Sequence, residues 1–203
     1  MSGDFDAALA VLARGGVVAA ATETLFGLLA DATSSDAVRR VAELKPRDDK
    51  AFPLILPTRA SWQDVAEEIP EAARALADEL WPGPLTIAVQ ARPGLDARLV
   101  SEGTVAVRLP AASPAARLAA RFGRPLTATS ANPTGLPPTF DPAVVRGYFA
   151  AQISSGELFV LGDPAPGGAP STVVVVRGSV VEVAREGAIS GERVREVARR
   201  KML

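Results

Sequence analysis

Lysine is scarce in this 203-residue chain: it occurs only at positions 45, 50 and 201, and every other side-chain cation is an arginine. Lys45 is followed by Pro46 and Arg47. Proline disfavours helical backbone at the residue before it, so the chain should leave a helix extended at Lys45. Residues two apart in an extended segment share a side, so Lys45 and Arg47 can point into one cleft. A mobile ammonium beside a planar guanidinium fork suits a phosphate chain. Cations at a helix C-terminus also complement its dipole with no ligand at all.

Further segments repeat the pattern of small polar groups at the ends of apolar runs. Ser130-Ala131-Asn132 follows a buried strand and leads into a Pro/Gly loop, and strand ends are where α/β proteins bind ligands. The same residue types equally make side-chain turns. Thr22-Glu23-Thr24 sends two hydroxyls one way and a carboxylate the other. In Thr-Val-Ala-Val-Arg-Leu-Pro over 104–110, Val105, Val107 and Leu109 alternate with Thr104, Ala106 and Arg108. An arginine in an otherwise apolar strand is costly without an anion, which makes Arg108 the strongest ligand contact readable from single residues. An internal ion pair would satisfy it as well. A Gly/Pro-rich loop over 162–170 runs into Ser171-Thr172, and Arg185 ends a later strand. Backbone amides in such loops can cradle anions, but no Gly-Lys-Ser/Thr follows at P-loop spacing.

What positions these residues is a series of short elements. Strands are expected over 16–22, 53–57, 85–90, 104–109, 126–130, 158–161, 171–176 and 180–185. Helices are expected from Ser34-Ser35-Asp36 to Pro46, over 61–80 with a break at Pro70, from Ser113-Pro114 to Phe122 with Gly123 as its stop, from Asp141-Pro142 to about Gln152, and over 192–201. Strand–helix alternation gives way to consecutive strands, so the fold is α/β with a mixed sheet. Pro/Gly clusters are short, so residues 1–203 read as a single domain.

Composition narrows the chemistry. Net charge is −1, with 48% hydrophobic and 22% charged residues, so no global field draws the chain to nucleic acid or an anionic membrane. Cysteine and histidine are both absent, which excludes disulfide scaffolds, thiolate and Ser-His catalysis, and most transition-metal sites. No apolar run spans a bilayer, and Asp4 and Asp6 stand where a secretory signal wants positive charge. A cytoplasmic protein is expected. Carboxylates, hydroxyls, Lys, Arg, backbone amides or a hard cation must do any chemistry, which favours an anionic ligand with a polar co-substrate.

In order along the chain, these segments resemble the YrdC-like family of threonylcarbamoyl-AMP synthases. Pro-Thr-Glu-Thr-x-Tyr-Gly-Leu is similar to residues 21–28, Lys-x-Arg to 45–47, Trp-Pro-Gly-Pro-Leu-Thr to 81–86, and Val-Ala-Val-Arg-x-Pro to 105–110. Ser-Ala-Asn-x-x-Gly is similar to 130–135, Gly-x-x-Ser-Thr-Val-Val to 168–174, and Arg-x-Gly-Ala-Ile to 185–189. The resemblance covers nearly the whole chain. It implies a twisted mixed sheet flanked by helices, with an open, concave, positively lined cleft.

It also implies ATP, L-threonine and bicarbonate or CO2 as substrates, with Mg2+, giving threonylcarbamoyl-adenylate and pyrophosphate. A partner transferase would move the threonylcarbamoyl group to the adenosine beside the anticodon of tRNA. By resemblance, Lys45, Arg47, Ser130 and Asn132 surround the triphosphate as catalytic residues, with Thr104 and Arg185 also on the nucleotide. Thr24, Arg108 and Ser171 hold threonine, the arginine facing its carboxylate. No protein metal ligand is assigned, and Glu23 is a candidate for the base that takes the amine proton.

The chain departs from the pattern at several positions. Ala21 replaces a proline, Phe26 a tyrosine and Glu186 a proline. Pro57 stands where many members have a histidine, Pro138 lies in a stretch lacking a serine, and Pro170 replaces a glutamate. The threonine side has thus drifted more than the nucleotide side. Alternative readings are an RNA-binding relative of the same fold, or an adenylate-forming relative using another amine.

Overall fold

A computed structural model of the chain describes residues 2–45, 50–162 and 164–200. Helix α1 (Ser2–Ala13) opens it and buries Phe5, Ala8 and Leu12, three or four residues apart on one face. Strand β1 (Val17–Ala21) is buried throughout and turns back into the antiparallel β2 (Phe26–Leu29). Neither α1 nor β2 is among the elements expected from the sequence. The apolar spacing for α1 was there to read, whereas Gly27 weakens the strand signal of β2.

Helix α2 (Ser35–Leu44) starts at Ser34, whose side chain accepts from the Ala37 amide. Next come β3 (Leu54–Ile55), α3 (Trp62–Val65) and α4 (Glu71–Leu80), the two helices separated ahead of Pro70. Strands β4 (Leu85–Gln90), β5 (Val100–Ser101) and β6 (Thr104–Arg108) follow. Helix α5 (Pro114–Phe122) has the expected boundaries: Ser113 caps its start, and Gly123, at a φ of 76°, ends it.

The span 126–130, read as one strand, is two. Strand β7 (Leu126–Thr127) pairs with β3, and β8 (Thr129–Ser130) pairs with β2. Thr127 forces the split. Its buried hydroxyl donates to the Leu28 carbonyl and accepts the Ala30 amide, while the Ala128 amide donates to the Pro53 carbonyl. Groups that a continuous strand would direct at one neighbour are divided between two. The helix expected over 142–152 is likewise broken, into α6 (Pro142–Tyr148) and α7 (Ala150–Ser154), at the buried, non-helical Phe149. Strands β9 (Leu158–Val160), β10 (Thr172–Arg177) and β11 (Val180–Arg185) precede the last helix, α8 (Gly191–Arg200).

The strands form two sheets where the sequence suggested one. The smaller runs β8-β2-β1-β9, and the larger runs β11-β10-β4-β6-β3-β7, with β5 on β6. Both mix parallel and antiparallel pairs, as expected. Period-2 alternation splits β1 between two cores: Val18 and Ala20 pack with α1 and α5, while Val17, Ala19 and Ala21 join the main core. Helices α4 and α8 pack together against the larger sheet. Leu85, Ile87 and Val89 of β4, Val105 and Val107 of β6, and Val174 and Val176 of β10 all enter the main core. The alternate residues of those strands are therefore left for the opposite face, where the site lies. Among the described residues no helix is long and apolar enough to cross a membrane.

Candidate active site

Strand pairing lines up four side chains across the larger sheet. Thr86 on β4 pairs with Val173 on β10, and Val173 pairs with Arg185 on β11. On the other side of β4, Ile87 pairs with Val107 of the antiparallel β6, so the next residues along, Thr86 and Arg108, also share a face. Across β6, β4, β10 and β11 the row reads guanidinium, hydroxyl, isopropyl, guanidinium. At about 4.8 Å per strand the two arginine backbones are about 14 Å apart, a span that an amino acid fits between.

Arg185 reaches this face because of a β-bulge. The register of β10 on β11 steps between Val173 and Val174, so Val174 pairs with Val183 but Val173 pairs with Arg185, and Ala184 has no partner. Without the extra residue, strict alternation would put Arg185 on the side of Val183, against the core. The bulge turns its guanidinium into the site.

The row lines a cavity of about 440 Å³, within the usual range for small-molecule sites. The turn between β1 and β2, residues 50–54 and residues 128–130 supply its other walls, with Pro138, Pro170 and Ser171. Lys50, Arg108 and Arg185 line it, and no carboxylate is among the described lining residues. Cationic groups therefore prevail among the described lining residues. Among the described residues no group of three or more His, Cys, Asp or Glu side chains could hold a metal ion.

The turn that closes β1 onto β2 is tied by Thr22. Its hydroxyl donates to the Leu25 carbonyl at 2.7 Å and accepts the Thr24 and Leu25 amides, both at 3.2 Å. Thr24 is thereby fixed at the cavity wall, its hydroxyl 3.1 Å from that of Thr22. Glu23, between them, meets Arg108: Nη1 donates to Oε1 at 3.0 Å, with both side chains largely buried. The internal ion pair is thus realised, and Arg108 still lines the cavity. Oε2 of Glu23 is buried without a hydrogen-bond partner. Burial lowers the Arg108 pKa; Glu23 opposes that shift and the charge of Arg185 adds to it. Burial also lowers the pKa of Arg185.

Arg185 Nη2 donates to the Ser171 carbonyl at 2.8 Å and to its Oγ at 3.3 Å. Ser171 Oγ in turn lies 3.0 Å from Thr86 Oγ1. Behind them the fully buried Thr172 hydroxyl donates to the Ile189 carbonyl and accepts the Gly187 and Ile189 amides. Gly187 lies so close that a Cβ there would collide with the Pro170 carbonyl oxygen. Only glycine lets this strand end close over residues 170–172.

The other expected residues are distributed unevenly. Thr24, Arg108, Ser130, Ser171 and Arg185 share the cavity. Lys45, buried at the end of α2, donates from Nζ to the Ser130 carbonyl at 3.0 Å and to its Oγ at 3.3 Å, bracing that wall from behind. Asn132 is buried beside the wall rather than in it; Nδ2 holds the loop by donating to the Pro133 and Leu136 carbonyls, leaving Oδ1 unpartnered. Thr104 is not brought to the cavity: it lies at the far end of β6 from Arg108, and its hydroxyl donates to the Ser101 carbonyl. Arg47 lies outside the described residues. Among the polar lining residues, Lys50, Thr86 and Thr129 went unselected in the sequence. The scarcity of lysine pointed to the first and the Trp-Pro-Gly-Pro-Leu-Thr motif to the second.

The Sua5/YciO/YrdC family model, described as telomere recombination, matches residues 10–187. The chain belongs to this family. A Bacillus subtilis threonylcarbamoyl-AMP synthase is 32% identical over 94% of this chain and 55% of its own length. One from Xanthomonas campestris is 36% identical over 80% of this chain and 91% of its own. The crystal structure of Pyrococcus abyssi Sua5 complexed with L-threonine superposes with a TM-score of 0.87 at 32% identity, over 95% of this chain and 56% of that one. The chain therefore spans little more than half of the Bacillus and Pyrococcus proteins. Of the departures from the family pattern, Phe26, Pro138 and Pro170 line the cavity, whereas Pro57 does not.

Proposed function

We propose that the chain condenses L-threonine, bicarbonate or CO2, and ATP into threonylcarbamoyl-adenylate with release of pyrophosphate. The observation that carries this reading is the row from Arg108 through Thr86 and Val173 to Arg185, in a cavity whose described lining bears three cations and no carboxylate. The names of the Bacillus and Xanthomonas relatives, and the threonine bound to the Pyrococcus protein, support it.

In the reaction the threonine amine loses a proton and its nitrogen bonds to the carbon of CO2. A carbamate oxygen then attacks the α-phosphorus of ATP, and the bond to pyrophosphate breaks. Negative charge grows on the phosphoryl oxygens and the leaving group, where preorganised cations stabilise it most. Lys50 and Arg185 are the cavity cations for that task; Lys45 and Arg47 join them by the family pattern, with Ser130 and Asn132 shaping the same wall. Arg108 keeps N–H groups beyond the one given to Glu23 and takes the threonine carboxylate, with Thr24 and Ser171 beside it. Mg2+ enters with ATP. The product passes to a transferase that modifies adenosine next to the anticodon in tRNA, and the chain works in the cytoplasm.

Mass spectrometry of products after incubation with ATP, Mg2+, bicarbonate and mixed amino acids tests the reading. Threonylcarbamoyl-adenylate is expected, with pyrophosphate release that requires both threonine and bicarbonate. Release indifferent to threonine would reject it in favour of another amine.

A further inference from the structure

Beyond the bulge, β11 keeps a single ladder pair with β10, that of Arg185 with Val173. One pair is a weak hold on register, and a slip by one residue would carry Arg185 back to the core side. A second hold comes from the residue behind the site. Thr172 shares the core-facing side of β10 with Val174 and Val176 and is fully buried. An aliphatic side chain would pack there, and a hydroxyl is costly to bury without hydrogen bonds. The Thr172 hydroxyl is used in full: it donates to the Ile189 carbonyl and accepts the Gly187 and Ile189 amides, both at 3.0 Å. Between them, the Ala188 amide donates to the Pro170 carbonyl at 2.8 Å. Glu186 Oε2 ties the same segment to the start of α8 by accepting the Gly191 amide at 3.0 Å. Where the ladder stops, side-chain bonds thus take over, and Arg185 Nη2 is left beside the Ser171 carbonyl and Oγ. Thr172 itself is not among the residues that line the cavity.

We infer that Thr172 is a positioning residue for Arg185: by clasping residues 187–189 it keeps the register that points this cation at the phosphate chain of the nucleotide. The inference rests on the phosphate role proposed above for Arg185. Without the hydroxyl, two amides and a carbonyl lose their partner, and the end of β11 is held by its one remaining pair. The cavity keeps its charge but loses the fixed placement of that charge. Preorganised placement is what lets a cation spend its attraction on the ligand rather than on its own ordering.

The test is a double-mutant cycle of Thr172→Val and Arg185→Gln, read by titration calorimetry with inorganic pyrophosphate as the probe. In the wild-type background Thr172→Val should lower pyrophosphate affinity by about three- to tenfold. In the Arg185→Gln background it should change affinity by less than about twofold, because the cation it positions is gone. Thr172→Ser keeps the hydroxyl and should bind within about twofold of the wild type. A merely structural role would weaken binding by the same factor in both backgrounds. Thr172→Cys, whose thiol is a weak hydrogen-bonding group, carries the cycle if Thr172→Val does not fold. A folded Thr172→Val or Thr172→Cys with wild-type affinity, or with equal losses in both backgrounds, overturns the positioning role and leaves the adenylating activity standing. Arg185→Gln with wild-type pyrophosphate affinity overturns the phosphate role of Arg185 and the inference with it.

Discussion

Replacing Glu23 by glutamine should weaken the protein and sharpen its response to anions. Glu23 faces Arg108 at 3.0 Å, with side chains only 13% and 8% exposed. With charge centres about 4 Å apart and an effective dielectric constant of about 20, the lost attraction is about 4 kcal/mol. Part of it returns. Glutamine puts an amide NH2 where Oε2 of Glu23 is buried without a partner, but a neutral amide costs less to bury than an ionised carboxylate, which recovers about 1–3 kcal/mol. Glutamine also keeps an oxygen that Arg108 can donate to. The net loss is about 2 kcal/mol, and at about 2–4 °C per kcal/mol for a chain of this size the melting temperature falls by about 4–8 °C. Arg108 and Arg185 then face the cavity without the neutralising carboxylate, so inorganic pyrophosphate should raise the melting temperature of Glu23→Gln more than that of the wild type. Calorimetric melts with and without pyrophosphate read both effects. A variant that melts within about 1 °C of the wild type, or that gains no more from pyrophosphate, would refute the electrostatic account.

Gly187→Ala places a Cβ against the Pro170 carbonyl oxygen, and overpacking of this kind costs about 1–3 kcal/mol or more; a lower melting temperature and weaker pyrophosphate binding should appear together in calorimetry. Arg185→Gln removes a cavity cation and should reduce pyrophosphate affinity by about tenfold or more, whereas Thr104→Ala, away from the cavity, should leave it within about twofold; titration calorimetry separates the two. Arg108 and Arg185 should add no step of their own to the pH dependence of pyrophosphate affinity between about pH 6 and 9, in a pH series of the same titration. Folding lowers the Arg108 and Arg185 pKa values, so their protonation is a constant penalty throughout that range, relieved only as pH rises past the folded values, and arginine does not deprotonate near neutrality.

Much was legible from local pattern. The alternation over 104–110, the Ser113 cap and Gly123 stop of α5, and the limits of β4 and β11 follow from side-chain period and capping chemistry, which act over a few residues. Motif order was likewise enough to pick out Thr24, Arg108, Ser130, Ser171 and Arg185, which share one cavity. Where partners lie far apart in the chain, local pattern was silent. Thr104 and Arg108 alternate identically, yet β6 carries them to opposite ends of one strand face, and only Arg108 meets the cavity.

By itself the sequence determined the chemical inventory: cations, hydroxyls and amides without histidine or cysteine, set at the ends of short apolar runs. Tertiary structure alone decided how that inventory is arranged. The division of 126–130 between two sheets depends on the Thr127 hydroxyl reaching β2, about a hundred residues earlier in the chain. The direction of Arg185 depends on one unpaired residue in β11. The pairing of Glu23 with Arg108 depends on a tight turn of the smaller sheet closing over the larger one. Periodicity is set by neighbours along the backbone, whereas each of these arrangements is set by hydrogen bonds and charges between residues that become neighbours only on folding.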